Sequence, residues 1–338
     1  MSNLEKDPDE VVLTAAADTA LEVLEPREVP LGGPRAMLVR RTLPQKRRSL
    51  IGAWCFVDSY GPPPAGATDA MDTPPHPHTG LQTVSWLYGG EIEHRDSVGS
   101  LARIAPGQVN LMTAGAGIQH SEVSTPESRG LHGVQLWIAL PESARHVAPF
   151  FESYAPEPFT HDDAELRVFV GELLGRRSTV TTFTRLVGAQ LELPAGGTID
   201  LPIDPAFEHG LIVDSGVPRL QGVEVPTATI GVVPTGTSEL RIEARDEPLR
   251  ALLIGGEPLG EQIVMWWNFI GRSNDDVVAA REAWEGGPER FGVVEGYVGP
   301  VPRIPAPALP GVRLKPRGNR ELRGGSGFSG DTEAPALS

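Results

Sequence analysis

Short apolar runs recur along the chain between Gly, Pro and Asp residues, the pattern of an all-β protein with tight connections. Glu22-Val23-Leu24 and the segment 35–41 open the ordered part. The apolar and aromatic run 51–60 follows, and Gly61-Pro62-Pro63-Pro64 breaks it. A long irregular loop then leads to Pro74-Pro75. Beyond it, 79–88 reads as a buried strand, Gly89-Gly90 as its turn and Glu91-Ile92-Glu93-His94 as the return, with Asp96-Ser97-Val98-Gly99 turning again. Strand-like runs at 101–104, 109–113 and 130–140 complete this half. Strands in meander order, with no helical crossover between them, argue against a doubly wound sheet and predict a double-sheet barrel.

The prolines and Asp162-Asp163 within 154–164 predict a linker, after which the rhythm restarts. Strand candidates there are 166–170, 180–183, 184–193, 209–213, 229–233 and 249–254. The clearest helix spans 273–286: Ser273 caps it, Asp275 and Asp276 sit at its positive end, and Gly286-Gly287 stops it. Val277, Val278, Arg281 and Trp284 mark the face expected to pack on a barrel. Residues 1–20 are acidic and small and predict a loose leader; from 301 Pro, Gly and Arg dominate and predict a disordered tail to 338. Two domains are expected, 21–155 and 156–300, the second carrying the helix.

Composition narrows the function. A length of 338 residues suits two domains. A formal charge of −15 repels a phosphate backbone and argues against direct nucleic-acid binding. Cys55 is the only cysteine, so no intrachain disulfide forms and a reducing compartment is expected. Residues 1–10 are polar and acidic, unlike a secretory signal, and no apolar run is long enough to span a bilayer. A cytoplasmic monomer without membrane contact is the expectation.

The candidate chemistry lies between His76 and Glu122. His76-Pro77-His78 and His120-Ser121-Glu122 each place two ligand-type side chains at i and i+2, hence on one face of a strand. If the two strands lie opposite one another, His76, His78, His120 and Glu122 converge on a divalent transition metal, with bonds of roughly 2.0–2.2 Å for zinc and similar reach for its neighbours. Other motifs carry less. His94-Arg95-Asp96 looks like a kinase catalytic loop, yet no Gly-rich phosphate loop precedes it and no Asp-Phe-Gly follows, so it reads as a turn beside a hairpin. Gly115-Ala116-Gly117 lacks the third glycine and the βαβ setting of a dinucleotide fingerprint and reads as a bend before His120. Cys55 reads as core and Lys46-Arg47-Arg48 as a solvated loop. The second half, with His209 alone after the linker, reads as metal-free.

Four stretches resemble the signature of the pirins, a branch of the cupin superfamily: His76-Pro77-His78-Thr79-Gly80, Glu93-His94-Arg95-Asp96-Ser97, Met112-Thr113-Ala114-Gly115-Ala116-Gly117-Ile118-Gln119-His120-Ser121-Glu122 and Leu131-His132-Gly133-Val134-Gln135-Leu136-Trp137. The likeness covers 24–297 and is strongest in the first half. It implies two jelly-roll cupin barrels in tandem and a mononuclear metal in the N-terminal barrel only. Its ligands would be His76, His78, His120 and Glu122, and its usual ion Fe(II), with Mn, Ni, Cu, Co or Zn as the other ions such a set takes. The resemblance also implies one of two roles. One is a quercetin 2,3-dioxygenase that opens the central ring of a flavonol and releases carbon monoxide; Glu122, the one carboxylate placed at the site, is then the candidate for catalytic base as well as ligand. The other is an iron-binding regulatory partner of a transcription factor or a metabolic enzyme. A purely structural metal, its shell closed by protein ligands, is a third reading. One position departs from the pattern: where pirins often carry a glutamate, about four residues after the second histidine, this chain has Gln82. By strand parity with His76 and His78 it is expected to face the site.

Overall fold

The computed structural model describes residues 21–30, 37–64, 71–128 and 130–319. The leader expected over 1–20 and the tail from 320 lie outside these residues. The first half runs through β1 (Glu22–Leu24), β2 (Arg27–Pro30), β3 (Leu38–Leu43), β4 (Trp54–Tyr60), β5 (Asp72–His78), β6 (Leu81–Gly89), β7 (Ile92–Asp96), β8 (Leu101–Ile104), β9 (Val109–Thr113), β10 (Ile118–Ser124), β11 (His132–Ala139) and β12 (Phe150–Tyr154). After β1, these strands make a seven-stranded sheet, β12-β9-β6-β11-β4-β3-β2, and a four-stranded sheet, β5-β10-β7-β8. The sheets close on Leu81, Leu87, Met112 and Trp137 from the large one and Ile92, Ile104 and Ile118 from the small one.

The second half repeats the plan with β13 (Phe159–His161), β14 (Ala164–Leu173), β15 (Arg176–Arg177), β16 (Leu186–Leu193), β17 (Thr198–Pro202), β18 (Glu208–Ser215), β19 (Arg219–Leu220), β20 (Val223–Glu224), β21 (Ile230–Val233), β22 (Glu239–Glu243) and β23 (Leu249–Gly256). Its large sheet is β1-β21-β18-β23-β16-β14-β13, with β15 on β14, and its small sheet is β17-β22-β19-β20. The short β1, in the sequence a part of the first domain, thus completes the sheet of the second. No strand forms at 180–183, because the Thr181 backbone is used by side chains instead: its N–H donates to Glu152 at 2.9 Å and its carbonyl accepts from Gln82 at 2.9 Å.

The two large sheets pack back to back. Trp54, Val84, Trp86, Val109 and Leu111 from the first meet Phe169, Ile212, Ile230, Leu252 and Ile254 from the second. This explains why β4 is buried along its whole length and β6 along most of it: one face lines a barrel and the other lines the interface. Trp86 stacks on Phe169 with ring centroids 4.7 Å apart and donates its indole N–H to Gln190 at 2.7 Å.

Beyond β23 the chain returns to the first barrel. A hairpin of β24 (Val264–Trp266) and β25 (Phe269–Gly271) leads to α1 (Asn274–Gly286), which Ser273 caps as part of a reciprocal box with Asp276. The apolar face of α1 does not pack on the second barrel. Ala280 and Trp284 join Trp267, Phe269, Phe291 and Ile304 in a separate small core. This segment grips the strands carrying the candidate histidines: Ile270 N–H donates to Thr79 O at 3.0 Å, Arg290 Nε to Ala116 O at 2.8 Å and Ile304 N–H to Pro75 O at 2.9 Å. In contrast to a tail disordered from 301, residues 301–319 follow a fixed path. Arg303 lies over Trp284 at 4.2 Å, and Asn319 Oδ1 accepts from the N–H groups of Ser49 and Leu50 at 3.1 and 2.9 Å. Docking of single side chains and backbone groups onto a finished surface holds this segment, and such contacts leave no periodicity in the sequence.

Candidate metal centre

Strand pairing builds the site. β5 and β10 run antiparallel with His120 opposite His76 and Ile118 opposite His78. Toward Glu122 the register shifts, Glu122 lying opposite Thr73, because β5 carries Pro74 and Pro75 there. Neither proline has an N–H for the ladder, and β5 is an edge strand, where such residues are tolerated. On its other side β10 pairs with β7, which puts His94 opposite Glu122 and Asp96 opposite His120.

The result is two overlapping groups that share His120. His76, His78 and His120 bring ligand atoms within 4.8 Å of one another, and so do His94, His120 and Glu122; all are buried. His78 Nε2 and His120 Nε2 lie 3.1 Å apart, close to the edge of a coordination polyhedron with bonds of about 2.1 Å. His76 Nδ1 lies 2.8 Å from the Pro74 carbonyl, to which it donates, so the ring's lone pair is on Nε2. Burial pushes His76, His78 and His120 well below the ordinary imidazole range, and their mutual repulsion adds to this in His78 and His120. At neutral pH these rings are therefore uncharged and present lone pairs, the form that binds a metal. Glu122 Oε2 is buried without a partner, and its Oε1 lies 3.4 Å from Ser85 Oγ. The three imidazoles fit a transition-metal ion, and Glu122 reaches the cluster from the side of His120 and His94.

Sequence reasoning missed His94. It sits on the inward face of β7 with Ile92 and Asp96, a face visible in the alternation Ile92-x-His94-x-Asp96. It also misplaced Gln82. The Thr79-Gly80 turn, where Gly80 has φ +71°, separates β5 from β6, so parity does not carry across. Gln82 shares the outward face of β6 with Val84 and Trp86 and donates to Thr113 Oγ1 at 2.8 Å and Thr181 O at 2.9 Å.

The inward residues of β6 reveal a second feature. Across the large sheet, Arg41, Asp58, Gln135, Ser85 and Asn110 are successive Cα partners and so share one face. All are buried. Arg41 holds Asp58 through two bonds of 2.7 Å, and Ser85 Oγ donates to Gln135 Oε1 at 2.8 Å. Both amide atoms of Asn110, Gln135 Nε2, the Tyr60 hydroxyl and Trp137 Nε1 have no partner. Trp137 packs its ring 5.2 Å from His78. Burial, then the charges of Glu122 and Asp58, hold the Tyr60 phenol well above its ordinary range, so it stays protonated. Unpaired buried polar groups are costly, and here they line the interior beside the histidines. No signal short of the strand register marks this row in the sequence.

Comparison with known proteins identifies the family. The family Pirin matches residues 36–138 and the Pirin C-terminal cupin domain matches 188–292. A Pseudomonas aeruginosa protein whose name provisionally assigns it quercetin 2,3-dioxygenase activity is 39% identical over 291 residues, 86% of this chain and 91% of the relative. Mouse pirin is 31% identical over 253 residues, 72% of this chain and 84% of its own. The crystal structure of a quercetin 2,3-dioxygenase from Acinetobacter baumannii superposes with a TM-score of 0.80 at 41% identity, covering 87% of this chain and 97% of that one. With both barrels matched and relatives aligned over most of their length, the chain belongs to the pirin family, and it is a bicupin.

Proposed function

We propose that this pirin is a metal-dependent dioxygenase cleaving a flavonol-type substrate, with His76, His78, His120 and Glu122 as the metal ligands. The observation that carries the reading is the convergence of three uncharged imidazoles, inside the first barrel, next to a glutamate whose second oxygen has no partner. The names of the Pseudomonas and Acinetobacter relatives supply the substrate class.

When bound, Fe(II) supplies the one-electron chemistry that lets O₂ react with a closed-shell flavonol, and a reducing cytoplasm suits that ion. Glu122 has two tasks. It helps hold the ion, and as catalytic base it takes the proton of the flavonol hydroxyl, which requires an approach within about 2.6–3.2 Å. The Tyr60 hydroxyl, Gln135 Nε2 and Trp137 Nε1 are donors suited to the oxygen substituents of a polyphenol, and Asn110 offers both a donor and an acceptor. Gln82, which faces the other barrel, takes no part; its lack of a carboxylate therefore does not count against catalysis.

Protein purified without oxygen and loaded with Fe(II) is expected to consume O₂ and release carbon monoxide with quercetin, while His78→Ala does neither. Glu122→Gln is expected to lower turnover by about 10²–10⁴-fold at matched metal content. A fully loaded wild-type protein inert toward a panel of flavonols would reject the proposal and favour the regulatory role.

A further inference from the structure

We propose that His94 and Asp96 are positioning residues that set the ring tautomer of His120 and so determine how tightly the centre holds its metal, an inference that rests on the metal-centre reading above. Asp96, His94 and His120 form one line of contacts. Asp96 Oδ1 accepts from the N–H groups of Val98 and Ser100 at 3.0 and 2.9 Å, which fixes the carboxylate. Its Oδ2 lies 3.2 Å from His94 Nε2, His94 Nδ1 lies 3.3 Å from His120 Nδ1, and His120 Nε2 lies 3.1 Å from His78 Nε2. Phe151 stacks on the His94 ring with centroids 4.6 Å apart and planes 25° from parallel, which restrains its rotation.

Proton placement follows from the end of the line. A carboxylate only accepts, so His94 carries a proton on Nε2, and the neutral ring then has its lone pair on Nδ1. Its contact with His120 is then a hydrogen bond when His120 donates from Nδ1. The lone pair of His120 falls on Nε2, the nitrogen that meets His78. A ligand imidazole whose outer N–H is held in this way is oriented and made more basic, and losing such a partner costs about 10–100-fold in metal affinity. The loop 97–100 is therefore part of the centre, as the clamp on the last acceptor.

The test uses the full metal-free chain and Zn(II) as a diamagnetic probe, its affinity read by competition with a chromophoric chelator. Asp96→Asn keeps the shape, but the two backbone N–H groups retain its oxygen and turn its NH₂ toward His94, which reverses the line. It is expected to bind Zn(II) about 10–100-fold more weakly, as is His94→Phe. His94→Asn keeps an acceptor near Nδ1 and is expected to recover most of the loss. Thermal melts of the metal-free variants identify any that fail to fold, and His94→Asn keeps the test open if His94→Phe does. In the Zn(II)-loaded wild type, ¹⁵N shifts are expected to show His120 metallated at Nε2 and protonated at Nδ1. Wild-type affinity in Asp96→Asn, or metal on His120 Nδ1 with His94 as a direct ligand, would overturn the inference. A wild-type chain that takes no Zn(II) would overturn the metal-centre reading itself, a different result.

Discussion

Gln82 ties the first barrel to the second through its amide, which donates to Thr113 Oγ1 and to the Thr181 carbonyl, 2.8 and 2.9 Å away. Gln82→Glu would set a carboxylate against that carbonyl, two acceptors with no proton between them, in a fully buried position. Placing a carboxylate there is therefore expected to destabilise the fold, by about 1–3 kcal/mol, without raising kcat, as urea unfolding and turnover at matched metal content would show. An increase in kcat would mean that the residue reaches the site. What was legible at this scale follows the same geometry. The pairs His76/His78 and His120/Glu122 each lie within a single strand, so the i, i+2 rule applies to them directly. Gln82 lies across a turn from its reference, and His94 depends on β7 pairing with β10, a non-local contact that no local spacing encodes.

At the scale of elements, α1 was visible through its cap and its glycine stop, but not its destination. An amphipathic face states that a helix packs, not on what. Here its anchor is Trp284, fully buried, packed edge-on to Phe291 with centroids 5.4 Å apart and donating its indole N–H to Ile304 O at 2.9 Å. The segment it anchors also holds Thr79, Ala116 and Pro75, which flank or belong to the ligand strands. Trp284→Ala is expected to cost about 3–5 kcal/mol of stability in this small core. It is also expected to raise amide exchange in β5 and β10 before exchange rises in β16 or β23, as exchange measured by mass spectrometry would resolve. Uniform loss of protection across both barrels would instead mean that α1 supports the whole molecule and not the metal centre. Strands β12, β17 and β22 were missed for a related reason: each is short and takes its place from its partners rather than from its own composition.

The whole molecule depends on the interface between the large sheets, and one polar contact at its edge responds to pH. His132 of the first barrel lies 2.6 Å from Asp214 Oδ1 of the second, while Arg250 donates to Asp214 Oδ2 at 2.8 Å and covers the Tyr88 ring at 4.4 Å. Burial alone would raise the Asp214 carboxyl, but the hydrogen bonds and charges of His132 and Arg250 outweigh it and hold the group below its ordinary value of 3.8. A carboxyl depressed in the folded state stabilises that state fully above its unfolded value, and this contribution is lost as pH falls through the folded value. Asp214→Asn is therefore expected to melt at a lower temperature than wild type at neutral pH, by a difference worth roughly 1.5–3 kcal/mol. The gap should begin to close as pH drops below about 3.8 and be gone once pH has fallen through the lower value of the folded wild-type carboxyl. Because the apolar interface joins the barrels more extensively than this one cluster, both are expected to unfold in a single transition at neutral pH, wild type and variant alike. Two separate transitions in the variant, one for each barrel, would show that the His132-Asp214-Arg250 contact, rather than the packing around Trp86 and Phe169, couples the halves.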